Sequence, residues 1–304
     1  MTPKPIIVGV DGSAESVRAA VVAYHLAGAV KAPCLFVYAA PELWPPGLAP
    51  LAMLPGMYDG VRQQLLAALR AALPDIEESA LIVRTGRAGE VLVNEAKRRG
   101  AILVAVGGRR HGALTRGLGG STAHYLARAL DVPLLSVSPT SETLRRVLVA
   151  VDLSDAGRPT LEAAARYASA LGAQLRALHV IEPVRFPGVL PVPIDESEIE
   201  RQSREGFERA LAAVPAAGDA LVDRMVVRGV APEAIAEAAA RWRADLVVVG
   251  SHGKGWANRM LIGSTTERLL NLLPASVLVV PITRKRSRAK QSRRRPPRRG
   301  IVVV

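Results

Sequence analysis

The chain has a single cysteine, Cys34, among 304 residues. No intramolecular disulfide can form, so oxidative cross-linking does not hold this fold together. Cys34 lies in the apolar run CLFVYA, where a lone thiol is expected to pack as a small hydrophobe. Long apolar runs are missing too, since nothing approaches the roughly 18 to 20 residues that span a bilayer. The N-terminal MTPKPIIVGVDGS passes straight into a strand-like run, without the basic segment and apolar core of a signal peptide. These absences point to a soluble, cytoplasmic protein with no membrane contact. The sequence also holds no HExxH, no CxxC and no GxSxG, so metalloprotease and serine-hydrolase chemistry lack their minimum parts. Gly253-Lys254 has the look of a Walker loop, but Gly255 stands where that loop needs a hydroxyl.

What the chain has in excess is positive charge, and that charge is concentrated. The formal net charge is +13, but ten Lys and Arg fall in residues 284–299 (RKRSRAKQSRRRPPRR) with no acid, leaving +3 for the remainder. A run this basic, with Pro296 and Pro297 and little to bury, is expected to be a disordered tail over 284–304. It is either a solvated appendage or a weak, salt-sensitive contact for nucleic acid or another polyanion.

The chain repeats itself. IIVGVDGSAESVRAA at 6–20 matches VLVAVDLSDAGRPTLEAA at 147–164, placing Asp11 on Asp152. CLFVYAAPE at 34–42 matches QLRALHVIEP at 174–183 through Pro41 and Pro183, and RTGRAGEVL at 84–92 matches RGVAPEAI at 228–235 through Gly86 and Gly229. AILVAVGGRRHG at 101–112 matches ADLVVVGSHGKG at 244–255, and GSTAHYLARALDVPLLSV at 120–137 matches GSTTERLLNLLPASVLVV at 263–280. The constant offset of 141 to 143 defines a duplicated domain, with units at 1–140 and 145–283.

Within each unit short β-branched apolar runs alternate with amphipathic segments. IIVGV, CLFVY, ALIV, AILVAV and PLLSV read as parallel strands buried on both faces. Residues 14–29, 57–73, 88–99 and 121–130 carry apolar positions at three- and four-residue spacing and read as helices. The second unit offers VLVAV, QLRALHV, RMVVR, ADLVVV and SVLVV as its strands. The expected fold class is α/β, two tandem doubly wound open sandwiches, each a five-stranded parallel sheet flanked by helices.

In such a sheet ligands bind beyond the carboxyl ends of the strands. Asp11 and Asp152 end the first strand of each unit, and a glycine-rich segment ends the fourth. If those strands are neighbours, a carboxylate that accepts from sugar or base faces a loop whose bare N–H groups suit phosphate. Gly263-Ser264-Thr265-Thr266 precedes the helix ERLLNLL, so a hydroxyl falls at the expected cap and the first-turn N–H groups are open to an anion. The bland alternative is that Ser264 or Thr265 only caps its own helix. His111 and His252 lie inside the glycine segments and could donate to phosphate, whereas His25, His124 and His179 read as packing residues. The proline-rich stretches 43–56 and 183–196 follow each second strand and are candidate flaps or partner surfaces.

The spacing Gly250, two residues, Gly253, nine residues, Gly263, Ser264 resembles the G-2x-G-9x-G-[S/T] signature of the universal stress protein (UspA) family. VVVGSHGKG, VAVDLS and LHVIEP are similar to other segments of that family, and the resemblance covers about residues 4–282 in tandem form. It implies strand order 3-2-1-4-5, an adenine nucleotide alpha-hydrolase-like fold, and ATP binding with little or no hydrolysis. Carried over by position, Ala150, Asp152 and Val180 would surround the adenosine. Gly250, Ser251, His252 and Gly253 would wrap the triphosphate, with Gly263, Ser264, Thr265 and Thr266 completing the phosphate and ribose contacts. Mg²⁺ would accompany the nucleotide, held by phosphate and water.

The first unit departs from the signature. Gly107, Gly120, Ser121 and Thr122 keep their places, but Arg110 stands at the second glycine, where a side chain either closes the nest or offers a guanidinium to phosphate. Gly9, Asp11 and Tyr38 complete this candidate site, with Tyr38 taken as the counterpart of Val180. The resemblance also implies a role in stress or dormancy signalling and contact between the fifth strands, 133–137 with 276–280, with a further homodimer as a partner. Two rival readings stay open. One is a slow ATPase or nucleotidyl-transfer enzyme, and the other is a nucleotide-independent interaction protein that recruits nucleic acid through its tail.

Overall fold

A computed structural model describes residues 3–41, 58–109, 122–154, 157–183, 195–215, 220–251 and 262–282. The first half runs β1 (Ile6–Gly9), α1 (Ala14–Ala29), β2 (Cys34–Ala40), α2 (Asp59–Ala72), β3 (Leu81–Thr85), α3 (Ala88–Arg99), β4 (Leu103–Gly107), α4 (Thr122–Ala129) and β5 (Leu134–Val137), with a 3-10 turn at Glu78–Ala80. The second repeats it as β6 (Arg146–Ala150), α5 (Gly157–Leu171), β7 (Gln174–Ile181), α6 (Glu196–Ala212), β8 (Leu221–Arg228), α7 (Ala231–Trp242), β9 (Leu246–Gly250), α8 (Ser264–Leu272) and β10 (Ser276–Val280). The expected 14–29 and 88–99 helices coincide with α1 and α3. The strand expected as RMVVR begins three residues earlier, at Leu221, because its outward positions are exposed and hide the apolar run.

Local chemistry sets these boundaries. Ser13 caps α1 by accepting from the Ser16 amide, and Asp195 caps α6 by accepting from Ser197 and Glu198. Helix α3 ends at Gly100 with φ of 60°, a left-handed stop that glycine adopts without strain. Gly86 and Gly229, paired in the repeat, have φ of 127° and 153°. Both turn the chain from the third strand into the third helix, and each amide is held by the second strand, at Ala40 and Ile181 respectively.

All ten strands form one sheet in the order β3-β2-β1-β4-β5-β10-β9-β6-β7-β8. Each half is parallel and follows the 3-2-1-4-5 order. The halves meet antiparallel through β5 and β10, with Val277 opposite Ser136, Leu278 opposite Leu135 and Val279 opposite Leu134. The expected pairing of the two fifth strands is therefore present within one chain.

The core has two layers, one on each face of the sheet. Helices α1, α2, α5 and α6 cover one face with Leu26, Leu69, Leu161 and Phe207, and α3, α4, α7 and α8 cover the other with Leu92, Leu126, Ile235 and Leu269. Both layers draw on both halves, so the halves share their apolar burial instead of closing two separate cores.

Candidate functional site

The sheet topology creates two crevices. In each half the first strand lies beside the fourth, β1 with β4 and β6 with β9, and their carboxyl ends carry the acid and the glycine segment. Because β5 and β10 are antiparallel, the carboxyl ends of the two halves face opposite edges of the sheet. Each crevice is thus built by its own half.

In the first half Gly9, Val10, Asp11, Ser13, Tyr38, Ala39, Gly107, Arg109 and Thr122 are among the residues lining a cavity of about 130 Å³. Asp11 accepts from the Ser13 amide at 3.0 Å and the Ser13 hydroxyl at 2.5 Å. Burial pushes its carboxyl upward, but the Ser13 bonds, Ser16 and the Arg109 charge outweigh that and hold it below its ordinary value. Gly107 has no room for a side chain, since a β-carbon there would lie 2.7 Å from the carbonyl carbon of Glu15. Arg109, exposed at the mouth, reaches Glu15 at 3.6 Å. Arg109, Glu15, Ser13 and Ser16 also line this crevice, and the glycine signature does not mark them. The start of α1 at residue 14 was the signal for Ser13 as its cap.

In the second half Asp152 follows β6. Its Oδ2 accepts from the Ser154 hydroxyl at 2.7 Å, while Oδ1 is buried with no hydrogen-bond partner among the described residues. Gly157, opening α5, approaches so closely that a β-carbon would sit 2.0 Å from the Asp152 carbonyl oxygen. The end of β9 is fixed to α8 by the buried Thr266, whose hydroxyl donates to the Gly250 carbonyl at 2.7 Å. Ser251 is also buried, its hydroxyl accepts from the Ile282 amide at 3.2 Å, and its carbonyl accepts from the Gly263 amide at 2.9 Å. These bonds make Ser251 and Thr266 braces of the crevice.

The N-cap of α8 is Gly263, with extended backbone (φ −60°, ψ 140°) and no side-chain cap bond. The hydroxyl expected at that position sits one residue later, so Ser264 and Thr265 are the first two helical residues, exposed and half-exposed. A glycine cap supplies no side-chain acceptor, so among the described residues the first-turn amides have no side-chain cap at the positive end of the helix dipole.

The second strands also revise the repeat. The Val10 amide donates to Val37 and the Val151 amide to Leu178, so Tyr38 corresponds to His179, and Ala39 to Val180. The shared proline had shifted that alignment by one residue, which in a strand exchanges its two faces. His179 is buried, its Nδ1 donates to the Val151 carbonyl at 2.9 Å, and its ring stacks on Phe207. His124 is buried in α4 as expected, whereas His25 is exposed on α1. Cys34 is half-buried, and burial pushes its thiol up to about 12.

Arg110, His111, Gly120 and Ser121 of the first unit lie outside the described residues, as do His252 and Gly253 of the second, the stretches 43–56 and 184–194, and the tail. Among the described residues no helix is long and apolar enough to cross a membrane.

This is a two-unit α/β architecture with one carboxylate-and-glycine crevice per unit. A family model described as the universal stress protein family matches residues 2–138 and 143–281, and the chain belongs to that family in tandem form. A universal stress protein of Mycolicibacterium smegmatis is 32% identical over 294 residues, covering 90% of this chain and 96% of that one. One from Mycobacterium tuberculosis is 29% identical over 295 residues, again covering 90% and 96%. Among solved structures, a protein of Pseudomonas aeruginosa described as functionally unknown has a TM-score of 0.62 at 19% identity, covering 92% of each chain. A universal stress protein of Archaeoglobus fulgidus has a TM-score of 0.60 at 18% identity, covering 92% of this chain and 99% of that one.

Proposed function

We propose that this protein binds ATP in the crevice of its second half and uses nucleotide occupancy in a stress or dormancy response, with little or no hydrolysis. The observation that carries the reading is the juxtaposition at the ends of β6 and β9. A buried carboxylate oxygen with no described partner, Oδ1 of Asp152, belongs to the same crevice as the uncapped first turn of α8. The first is an acceptor for ribose or adenine donors, and the second is a set of N–H groups suited to phosphate.

Ala150, Asp152 and Val180 would border the adenosine. Gly250, Gly253 and His252 would wrap the phosphates, and Gly263, Ser264 and Thr265 would complete them. Ser251 and Thr266 would serve that crevice by holding β9 against α8. Mg²⁺ would be carried by phosphate oxygens and water, since no group of three or more His, Cys, Asp or Glu converges among the described residues. In the first half Gly9, Asp11, Tyr38, Gly107, Arg109 and Thr122 would form a second, altered crevice, with Arg110, Gly120 and Ser121 adjoining it. A cytoplasmic setting agrees with the single cysteine.

Equilibrium dialysis with ATP and Mg²⁺ tests the reading. Asp152→Ala removes the acceptor at the end of β6 and is expected to weaken binding at least about tenfold, the usual cost of losing a charged hydrogen-bond partner. Affinity and stoichiometry unchanged in Asp152→Ala would refute this placement of the nucleotide. Repeated turnover of ATP by the purified chain, abolished by Asp152→Ala, would instead establish an enzyme.

A further inference from the structure

The two crevices open on opposite edges of the sheet, yet helices α8 and α4 physically connect them. Helix α8 starts at the second crevice with Gly263 and runs antiparallel to β10. Its nine residues cover about 13 Å at 1.5 Å per residue. The five residues of β10 cover about 16 Å, so one helix crosses most of the sheet from edge to edge. It ends at Leu273, fully buried and held in a left-handed conformation with φ of 44°.

Leu273 meets the glycine segment of the other half. A β-carbon on Gly108 would lie 2.6 Å from Leu273 Cδ2, 2.7 Å from Ser136 Oγ and 3.0 Å from the Val137 carbonyl oxygen. Gly108 sits between Gly107 and Arg109, both of which line the first crevice. Its amide donates to Val137 at 2.8 Å, just as the Ser251 amide donates to Val280 at 2.8 Å, so Gly108 and Ser251 are counterparts. The second half fills that position with its own hydroxyl, bonded to the Ile282 amide. The first half leaves the position bare, and a leucine from the opposite half closes it.

The return connection uses α4. It starts at Thr122, in the first crevice, and the chain just beyond its end, at Leu130, lies close to Val279 and Pro281 with no space for even a water between them. Ile282, next to Pro281, is the donor to Ser251 beside Gly250. Close-packed interiors transmit such displacements because no free volume absorbs them.

We infer that the two crevices are coupled. Ordering the first turn of α8 by an anion at the second crevice settles Leu273 against Gly108 and fixes the Gly107–Arg109 segment of the first. Occupancy of the first acts back on the second to the same extent, as linkage requires. The ligand arm of this inference rests on the nucleotide reading of the second crevice, but the mechanical arm does not.

Amide hydrogen exchange on the full chain tests both arms. In Asp11→Ala, which impairs ligand capture at the first crevice, ATP with Mg²⁺ is expected to slow exchange at 264–267 and also at 107–109, the latter about fivefold, the lower end of typical coupling. In Gly108→Ala without any ligand, exchange at Glu267, whose amide is held by the Gly263 carbonyl, is expected to rise by a similar factor. Leu273→Ala, which removes the contacting side chain without putting a β-branched residue at the left-handed φ of 44°, should produce the same rise if Gly108→Ala fails to fold. Protection at 264–267 alone, with both variants silent at that turn, overturns the coupling and leaves nucleotide binding standing. No protection anywhere with ATP refutes the nucleotide reading, and the ligand-free variants then decide the coupling by themselves.

Discussion

Glu95 shows how one residue can be held charged inside the protein. It is 3% exposed on α3, yet it accepts from Arg84 at 2.8 Å and Arg99 at 3.1 Å and pairs with Arg98. Burial pushes its carboxyl upward, but the Arg99 and Arg84 bonds and the charges of Arg84 and Arg98 prevail and hold it below the ordinary 4.5. A carboxyl lowered on folding stabilises the native state above its unfolded value, and that contribution is lost as pH falls through the folded value. Glu95→Gln is therefore expected to cost about 2 kcal/mol at pH 7, with the deficit shrinking below about pH 4.5. Urea unfolding of both proteins across pH 3 to 7 measures this, and a deficit independent of pH would contradict it. Arg98 and Arg99 stand three and four residues beyond Glu95 in the sequence, but Arg84 lies on β3 and only the fold brings it to α3.

At the scale of elements, the junction between halves depends on two short strands. Leu135 and Leu278 face each other across the antiparallel pair and are 0% and 1% exposed. Leu135→Asp would bury an unpaired carboxylate there, at an expected cost of roughly 3 to 5 kcal/mol. Since both core layers span the junction, hydrogen exchange should accelerate in β1 and in β6 together. Acceleration confined to the first half would show that the halves are energetically separate. Strand and helix positions were legible because buried parallel strands read as unbroken β-branched runs, and the glycines matched in the repeat marked the same turns. Two details were not. Gly263 as the cap of α8 was hidden by three hydroxyl residues after it, any of which satisfies the sequence preference for a cap. The equivalence of Tyr38 with His179 was hidden because a shared proline in a loop does not fix strand register, whereas ladder hydrogen bonds do.

At the scale of the whole molecule, the described strands form a single ten-stranded sheet that carries the same crevice twice, on opposite edges and with different chemistry. The second crevice has an aspartate oxygen, Oδ1 of Asp152, with no hydrogen-bond partner among the described residues and a glycine-capped helix, and the first has an aspartate bonded to Ser13 and an arginine paired to Glu15. The duplication was readable from a constant offset, but the opposite orientation follows only from the antiparallel meeting of β5 and β10. Since the residues assigned to the two crevices all fall between positions 9 and 266, nucleotide capture and any attraction of the basic run at 284–299 to polyanions should be separable. Native mass spectrometry of the full chain with ATP and Mg²⁺ tests the central claim most directly. The account predicts at least one adenine nucleotide per chain, lost in Asp152→Ala and retained when residues 284–304 are removed. A chain that stays free of nucleotide under those conditions would contradict it.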